Sequence, residues 1–274
     1  YRDQYSQHDL NHELSSICNQ TFVNTGQDRG YVNFSSQVVD IIIFWHNFAT
    51  IVNFFEKYHF RLSSLPESVK KVCINWDLQL PSDEVLVRTI LNEFDLIFTV
   101  IDLPTSIPRW ISFRTGYNPN TSYFDYDPHF ICDVSIVCTN LYLKANPSQH
   151  NSGLSVNFIN PTYTRKEYLD AIVDYGCNLH VYGSENLRSD YSHYYRGYIK
   201  YANARKVFSN SKINLNLSPC ATLTQSQIYY SERLPQILGC DGFMISNNHY
   251  EPLLVDGFHY VYVSFNGFRD FLSA

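Results

Sequence analysis

At 274 residues, with 45% hydrophobic and 17% charged side chains, the chain is long enough for two compact domains and too apolar to be disordered. A net charge of −6 is unlike the basic domain that a nucleic-acid duplex favours, so no nucleic-acid partner is expected. The seven cysteines form no CxxC pair, and they read as reduced thiols of a cytoplasmic protein rather than as a disulfide framework.

Residues 1–35 are polar, with one short helix expected around Leu10–Ile17. His8 and His12 have a zinc-like i,i+4 spacing but lack the Glu of an HExxH motif, and read as solvated histidines. The first residue is Tyr rather than Met, as in a processed or excised piece. No leader or membrane span is expected, because the best apolar run, Val38 to Trp45, holds Asp40 and falls well short of the ~20 residues a spanning helix needs.

From Val38 the rhythm becomes strand, helix, strand. Val38–Trp45 reads as a buried parallel strand, Phe48–Tyr58 as a helix and Val72–Trp76 as a second strand. Val87, Ile90, Leu91 and Phe94 recur at i, i+3, i+4 and i+7, which predicts an amphipathic helix over Ser82–Phe94. Asp95–Ile101 follows as a strand, and Trp110–Thr115 as a short helix stopped by Gly116. The turn-rich segment from Tyr117 to Pro128 reads as the junction between two domains, 1–128 and 129–274.

Asp133–Val137 starts a second series of elements. Thr164 and Glu167 fit a capping box that opens a helix running to Tyr175 and ending at Gly176. Asn178–Tyr182, Lys212–Leu217, Phe243–Ser246 and Tyr260–Val263 read as strands; Ala204–Ser209, Glu232–Gly239 and Asn266–Leu272 read as helices. The alternation in both halves implies two parallel α/β sheets. Ligands of such sheets lie off the carboxyl ends of the strands, which here carry His46-Asn47, Asp77, Asp102, Thr139-Asn140, Gly183-Ser184-Glu185, Ser218 and Ser246-Asn247-Asn248.

Charge is divided unevenly. Residues 1–128 hold nine basic against fifteen acidic side chains, whereas residues 129–274 hold eleven of each. Between Tyr191 and Ser231 there are five basic residues (Arg196, Lys200, Arg205, Lys206, Lys212) and no acidic one, a local positive field that suits a small anionic ligand.

A series of segments carries a family resemblance: Asp40-Ile41-Ile42-Ile43-Phe44-Trp45-His46, Asp127-Pro128-His129-Phe130, Asp133-Val134-Ser135-Ile136-Val137, Arg165 with Tyr168-Leu169, Val181-Tyr182-Gly183, Tyr195-Arg196-Gly197-Tyr198, Ser211-Lys212-Ile213-Asn214-Leu215-Asn216, and Arg233 with Gly242-Phe243. In order and spacing the chain resembles the CgeB-like, spore-maturation type of glycosyltransferase within the GT-B superfamily. The resemblance implies two Rossmann-like lobes facing a central cleft. The donor, a UDP-, GDP- or TDP-sugar, would sit in the C-terminal lobe, and a glycan or glycoprotein hydroxyl would be the acceptor. No metal or other cofactor is implied. Residues 1–35 show no first Rossmann strand, so the acceptor lobe is expected to be trimmed. The chain departs from the family pattern at Cys138, where a Gly is usual, at Gln236, where a ribose-gripping Glu is usual, and at Asp241 in place of a Gly.

As the glycosidic bond breaks, negative charge grows on the departing diphosphate, and positive donors must be aimed at it. Arg233, in the first turn of its helix, is the first candidate, with Lys212 and Arg165 behind it. Gln236 takes the ribose position, Gly183 lets the backbone approach base or ribose, Tyr230 is a candidate stacking partner for the base, and Asn140 stands at a strand exit. An inverting reaction also needs a general base, for which Asp77 ranks first and His46 second. Asp125-Tyr126-Asp127 imitates a DxD metal clamp but lies in the junction segment, and reads as structural. The rival readings are a nucleotide-sugar epimerase or hydrolase on the same fold, and a degenerate, non-catalytic sugar-nucleotide-binding module. An NAD-binding enzyme is disfavoured, since no GxGxxG follows a strand.

Overall fold

The computed structural model describes residues 39–45, 48–75, 84–100, 107, 109–113, 116–139, 141, 163–217, 231–250 and 252–273. The expected helix at Leu10–Ile17 and the His8/His12 pair lie outside them. The described residues divide into two compact units, the first within residues 39–113 and the second within residues 116–273. Each has its own all-parallel sheet.

In the first unit, strands β1 (Ile41–Trp45), β2 (Lys70–Asn75), β3 (Leu96–Thr99) and β4 (Trp110–Ser112) lie side by side in chain order. Helix α1 (Phe48–Lys57) links β1 to β2, and α2 (Glu84–Asn92) precedes β3. Phe48, Ile51, Val52 and Phe55 of α1 are buried, each contributing about 2 kcal/mol by removal from water. The Phe44 ring meets Phe55 edge-on at 5.0 Å and Phe94 at 5.8 Å, so part of the aromatic excess is core packing. Asn75, fully buried at the end of β2, accepts from the Phe48 N–H at 3.1 Å and donates to Thr99 Oγ1 at 3.1 Å. One amide thereby satisfies an orphan donor at the start of α1 and ties two strand ends together.

Trp110–Ser112 is a strand, not the expected helix. It pairs in parallel with β3, with Ile97 opposite Trp110 and Thr99 opposite Ser112. Six residues are too few to sustain a helix alone, and aromatic and β-branched side chains fill the vacant edge of β3 better.

The second unit holds β5 (Cys132–Cys138), β6 (Leu179–Gly183), β7 (Tyr195–Gly197), β8 (Ser211–Asn216), β9 (Met244–Ser246) and β10 (Val261–Tyr262), in the spatial order β10-β9-β8-β5-β6-β7. Numbered within the unit this is 6-5-4-1-2-3, the doubly wound dinucleotide-fold order, which reverses between β5 and β8. Alternate side chains sort onto two faces. Val134, Ile136 and Cys138 of β5 pack with Leu169 and Ile172 of α3 (Arg165–Asp174) and Phe268 of α6 (Phe265–Ser273). Val137 packs on the other face with Val207 and Phe208 of α4 (Tyr201–Asn210) and Leu234 and Ile237 of α5 (Arg233–Gly239).

The capping box is present: the Glu167 carboxylate accepts from Thr164 N at 2.5 Å and from Thr164 Oγ1 at 2.9 Å. The helix ends before Gly176, whose φ of 71° is the left-handed conformation that a C′ glycine adopts at no steric cost.

Gly183 closes β6 with φ at 145°, and a Cβ placed there would lie 1.7 Å from the Cys138 carbonyl oxygen on β5. The glycine therefore permits the two strand ends to approach. Gly183→Ala is expected to destabilise the protein by about 3 kcal/mol, combining a strained φ with a backbone overlap. Urea denaturation followed by circular dichroism measures this, and an unchanged midpoint would contradict it.

Candidate functional site

In a doubly wound sheet the crossovers leave a crevice where strand order reverses, off the carboxyl ends of the strands. Here that point lies between β5 and β8. Helices on opposite faces bring two arginines to it. Arg233, first residue of α5, donates from Nη1 to the carbonyl oxygen of Val137 near the end of β5, at 2.6 Å. Arg165, first residue of α3 and 8% exposed, donates from Nε to the carbonyl of Leu217 just beyond β8, at 2.8 Å.

Arg233 is half-buried and has no carboxylate partner among the described residues. Its Nη1–carbonyl bond fixes the guanidinium plane and leaves the remaining N–H groups without an acceptor among those residues. The other cations of this unit are mostly neutralised. Arg205 Nε lies 2.8 Å from Asp125, Lys206 Nζ 2.9 Å from Asp127, Lys212 Nζ 2.7 Å from Asp133 and Lys166 Nζ 2.7 Å from Asp170.

Those pairs correct the expected positive field over residues 191–231. Three of its five cations meet aspartates that lie 79 or 80 residues earlier in the chain. Lys212, expected at the donor, is the second residue of β8, on the amino edge of the sheet and opposite the switch-point crevice. Its ion pair is largely exposed.

Asp125 and Asp127 are fastened to α4. Besides their ion pairs with Arg205 and Lys206, Asp125 N donates to Ser209 Oγ at 3.0 Å, Asp127 N to Asn210 Oδ1 at 3.0 Å, and Asn210 Nδ2 to the Asp125 carbonyl at 2.7 Å. Both carboxylates thus hold cations of the protein, in line with the structural reading. The Lys206 ammonium, together with the His129 side chain and N–H, holds the Asp127 carboxyl down at about 2.

Gln236, on the fourth position of α5, is buried beside Leu234 and Ile237. The Gly183 carbonyl, at the carboxyl edge of β6, accepts from Tyr195 Oη at 3.0 Å. Asp77, His46, Asn140 and Tyr230 lie outside the described residues, as does Asp102.

Sequence reasoning missed a buried polar network at the ends of β8 and β9. Asn216 Nδ2 donates to Tyr250 Oη at 2.9 Å, Ser231 Oγ donates to Asn216 Oδ1 at 2.8 Å, and Ser246 Oγ donates to the Asn216 carbonyl at 2.9 Å. Ser246 Oγ also lies 2.8 Å from Tyr250 Oη and accepts from Asn248 N at 3.1 Å. Complete burial pushes the Tyr250 phenol well up, so it stays protonated, while the nearby Arg233 charge acts in the opposite sense. The signal available in the sequence was Asn214 and Asn216 at alternate positions of one strand, which an apolar core does not need.

Residues 165–273 match the family model described as glycosyl transferase-like, a stretch that contains both arginines and the network. Among solved structures, the chain is similar to a sucrose-phosphate synthase from Thermosynechococcus elongatus, at 10% identity and a TM-score of 0.52, over 84% of this chain and 63% of that one. It is also similar to an alpha-glucosyltransferase in complex with UDP-glucose and DNA containing an abasic site, at 12% identity and a TM-score of 0.53, over 85% and 70%. The fold is GT-B. This chain spans less than two thirds of the synthase, and a comparison with curated sequences finds no match. No helix among the described residues is long and apolar enough to cross a membrane.

The Asp127–Lys206 pair yields a pH signature. With the folded carboxyl near 2 and an unfolded one near ~3.9, its contribution is fully present above about pH 4 and is lost as pH falls toward 2. Asp127→Asn should flatten the acid limb of the stability–pH curve. Urea midpoints from pH 5 to pH 2 test this, and an unchanged limb would contradict it.

Proposed function

We propose that this chain is a CgeB-like glycosyltransferase that moves a hexosyl or pentosyl group from a UDP-, GDP- or TDP-sugar to a glycan or glycoprotein hydroxyl, in the cytoplasm and without a catalytic metal. The observation that carries the reading is the guanidinium of Arg233, half-buried at the switch point and without a carboxylate among the described residues. Holding a cation there costs desolvation, and an anionic ligand offsets that cost. A nucleotide-sugar diphosphate is such an anion, and its charge grows as the sugar departs. A donor fixed beforehand on the Val137 carbonyl is therefore stronger toward the transition state than toward the ground state.

Arg165, on the opposite face of the same edge, adds a second guanidinium whose Nε is fixed on Leu217. Two such groups supply the positive charge that a divalent ion supplies in metal-dependent transferases. Gln236 takes the ribose hydroxyls with neutral hydrogen bonds. For an inverting reaction Asp77, and after it His46, takes the acceptor proton. The free cysteines Cys73, Cys132, Cys138, Cys177 and Cys240 support a reducing compartment. A nucleic-acid acceptor is disfavoured by the net charge of −6 and by the aspartates that neutralise Arg205, Lys206 and Lys212.

Calorimetric titration with UDP-glucose, GDP-mannose and TDP-glucose should show binding of at least one, and Arg233→Ala should weaken it roughly 10–100-fold, the loss of a charge-assisted contact. Absence of binding and turnover across the panel would sink the proposal; an unchanged affinity in the variant would remove Arg233 from the site.

A further inference from the structure

Asn248 lies two residues beyond the carboxyl end of β9 and is 2% exposed, yet neither its Nδ2 nor its Oδ1 has a hydrogen-bond partner among the described residues. Buried amides are almost always paired, and one with both atoms unmatched demands an explanation. The described residues around it have already committed their own polar groups. Ser246 Oγ gives its proton to the Asn216 carbonyl and accepts both from the Asn248 N–H and from the Tyr250 hydroxyl, which exhausts it. Asn216 spends Nδ2 on Tyr250 and Oδ1 on Ser231. The Asn248 amide acts on the Tyr250 hydroxyl only as a weak, long donor that favours its ionised form, beyond the reach of a normal hydrogen bond.

Ser231, two residues before Arg233, donates to Asn216, which donates to Tyr250, so one chain of hydrogen bonds joins the start of α5 to the loop that carries the amide. The backbone there is fixed: Asn248 N is held by Ser246, and Tyr250 N is held by the Tyr260 hydroxyl at 3.0 Å. An amide held in place presents two N–H donors and one carbonyl acceptor side by side. Its complement is a pair of neighbouring hydroxyls, each of which can both accept and donate.

We infer that Asn248 is a specificity-determining residue that binds a vicinal hydroxyl pair of the donor. This rests on the glycosyltransferase reading above. Ribose and the transferred sugar both offer such a pair.

The test compares the parent chain with Asn248→Leu, which keeps the side-chain volume and removes the polar atoms. Each is titrated with the tightest-binding of UDP-glucose, GDP-mannose and TDP-glucose, and with the matching nucleoside diphosphate. The variant should bind the sugar nucleotide roughly 10–100-fold more weakly while the ligand-free protein melts no lower than the parent. An equal loss toward the nucleoside diphosphate assigns the contact to ribose; an unchanged nucleoside diphosphate affinity assigns it to the transferred sugar. Asn248→Ala, which also removes both polar atoms, should show the same loss and serves where the leucine variant does not fold. Affinities within two-fold of the parent for both ligands, or a loss of affinity that follows a lowered melting temperature in both variants, would overturn the inference. A parent that binds none of the three sugar nucleotides would instead sink the functional reading itself.

Discussion

A strand paired on both edges and covered on both faces has only its two ends left for chemistry, and β5 is in that position. It is bonded to β6 on one side and β8 on the other, with α3 and α6 on one face and α4 and α5 on the other. Its alternating apolar side chains hold the two helical layers, and burial of that kind dominates the stability of a parallel sheet. The carbonyl of Val137 is among the last backbone acceptors of this strand, and it carries Arg233. The central core element and the proposed ligand contact thus share one strand, so a shift of β5 would displace the guanidinium.

Much of this was legible in the amino-acid pattern, for local reasons. Thr164 and Glu167 specify a helix start because the side chain and backbone that pair are three residues apart. The apolar run of β5 and the β–α alternation specify a parallel sheet with helices on its faces because such strands must be covered on both sides. Arg233 could be singled out because a departing diphosphate needs a cation aimed at it, and this one opens a helix within the family-like series of segments. The helix expected at Trp110 failed because its outcome depends on an open edge of β3, which lies outside the local window. The short strand β7 was passed over as an element for the same reason: three residues carry no readable period, and their state is decided by β6.

The ion pairs were illegible altogether. Lys206 meets Asp127 and Arg205 meets Asp125 only because the junction segment runs along α4, and separations of 79 and 80 residues leave no trace in composition. A run of basic residues without acidic ones therefore looked like a field where the folded protein has a row of pairs. The same pairing makes Arg233 informative. Surface pairs such as Lys212–Asp133 contribute little to stability, but they show that aspartates were available in this unit and that its cations were largely matched. A half-buried cation left without one among the described residues is a departure that stability does not explain.

Asn248 and Arg233 extend one argument from charge to hydrogen bonding. The network of Asn216, Ser231, Ser246 and Tyr250 is satisfied internally, and a satisfied polar network in a low-dielectric interior is rigid as well as stable. Rigidity is what allows the two exceptions beside it to be useful. A mobile amide or guanidinium would turn toward solvent or fold back on the backbone, whereas one held by a closed network keeps its unmet valence pointed in one direction. Preorganised groups of that kind bind without the entropic cost of being fixed on contact, and the cost of leaving them unmet is carried instead by the ligand-free state.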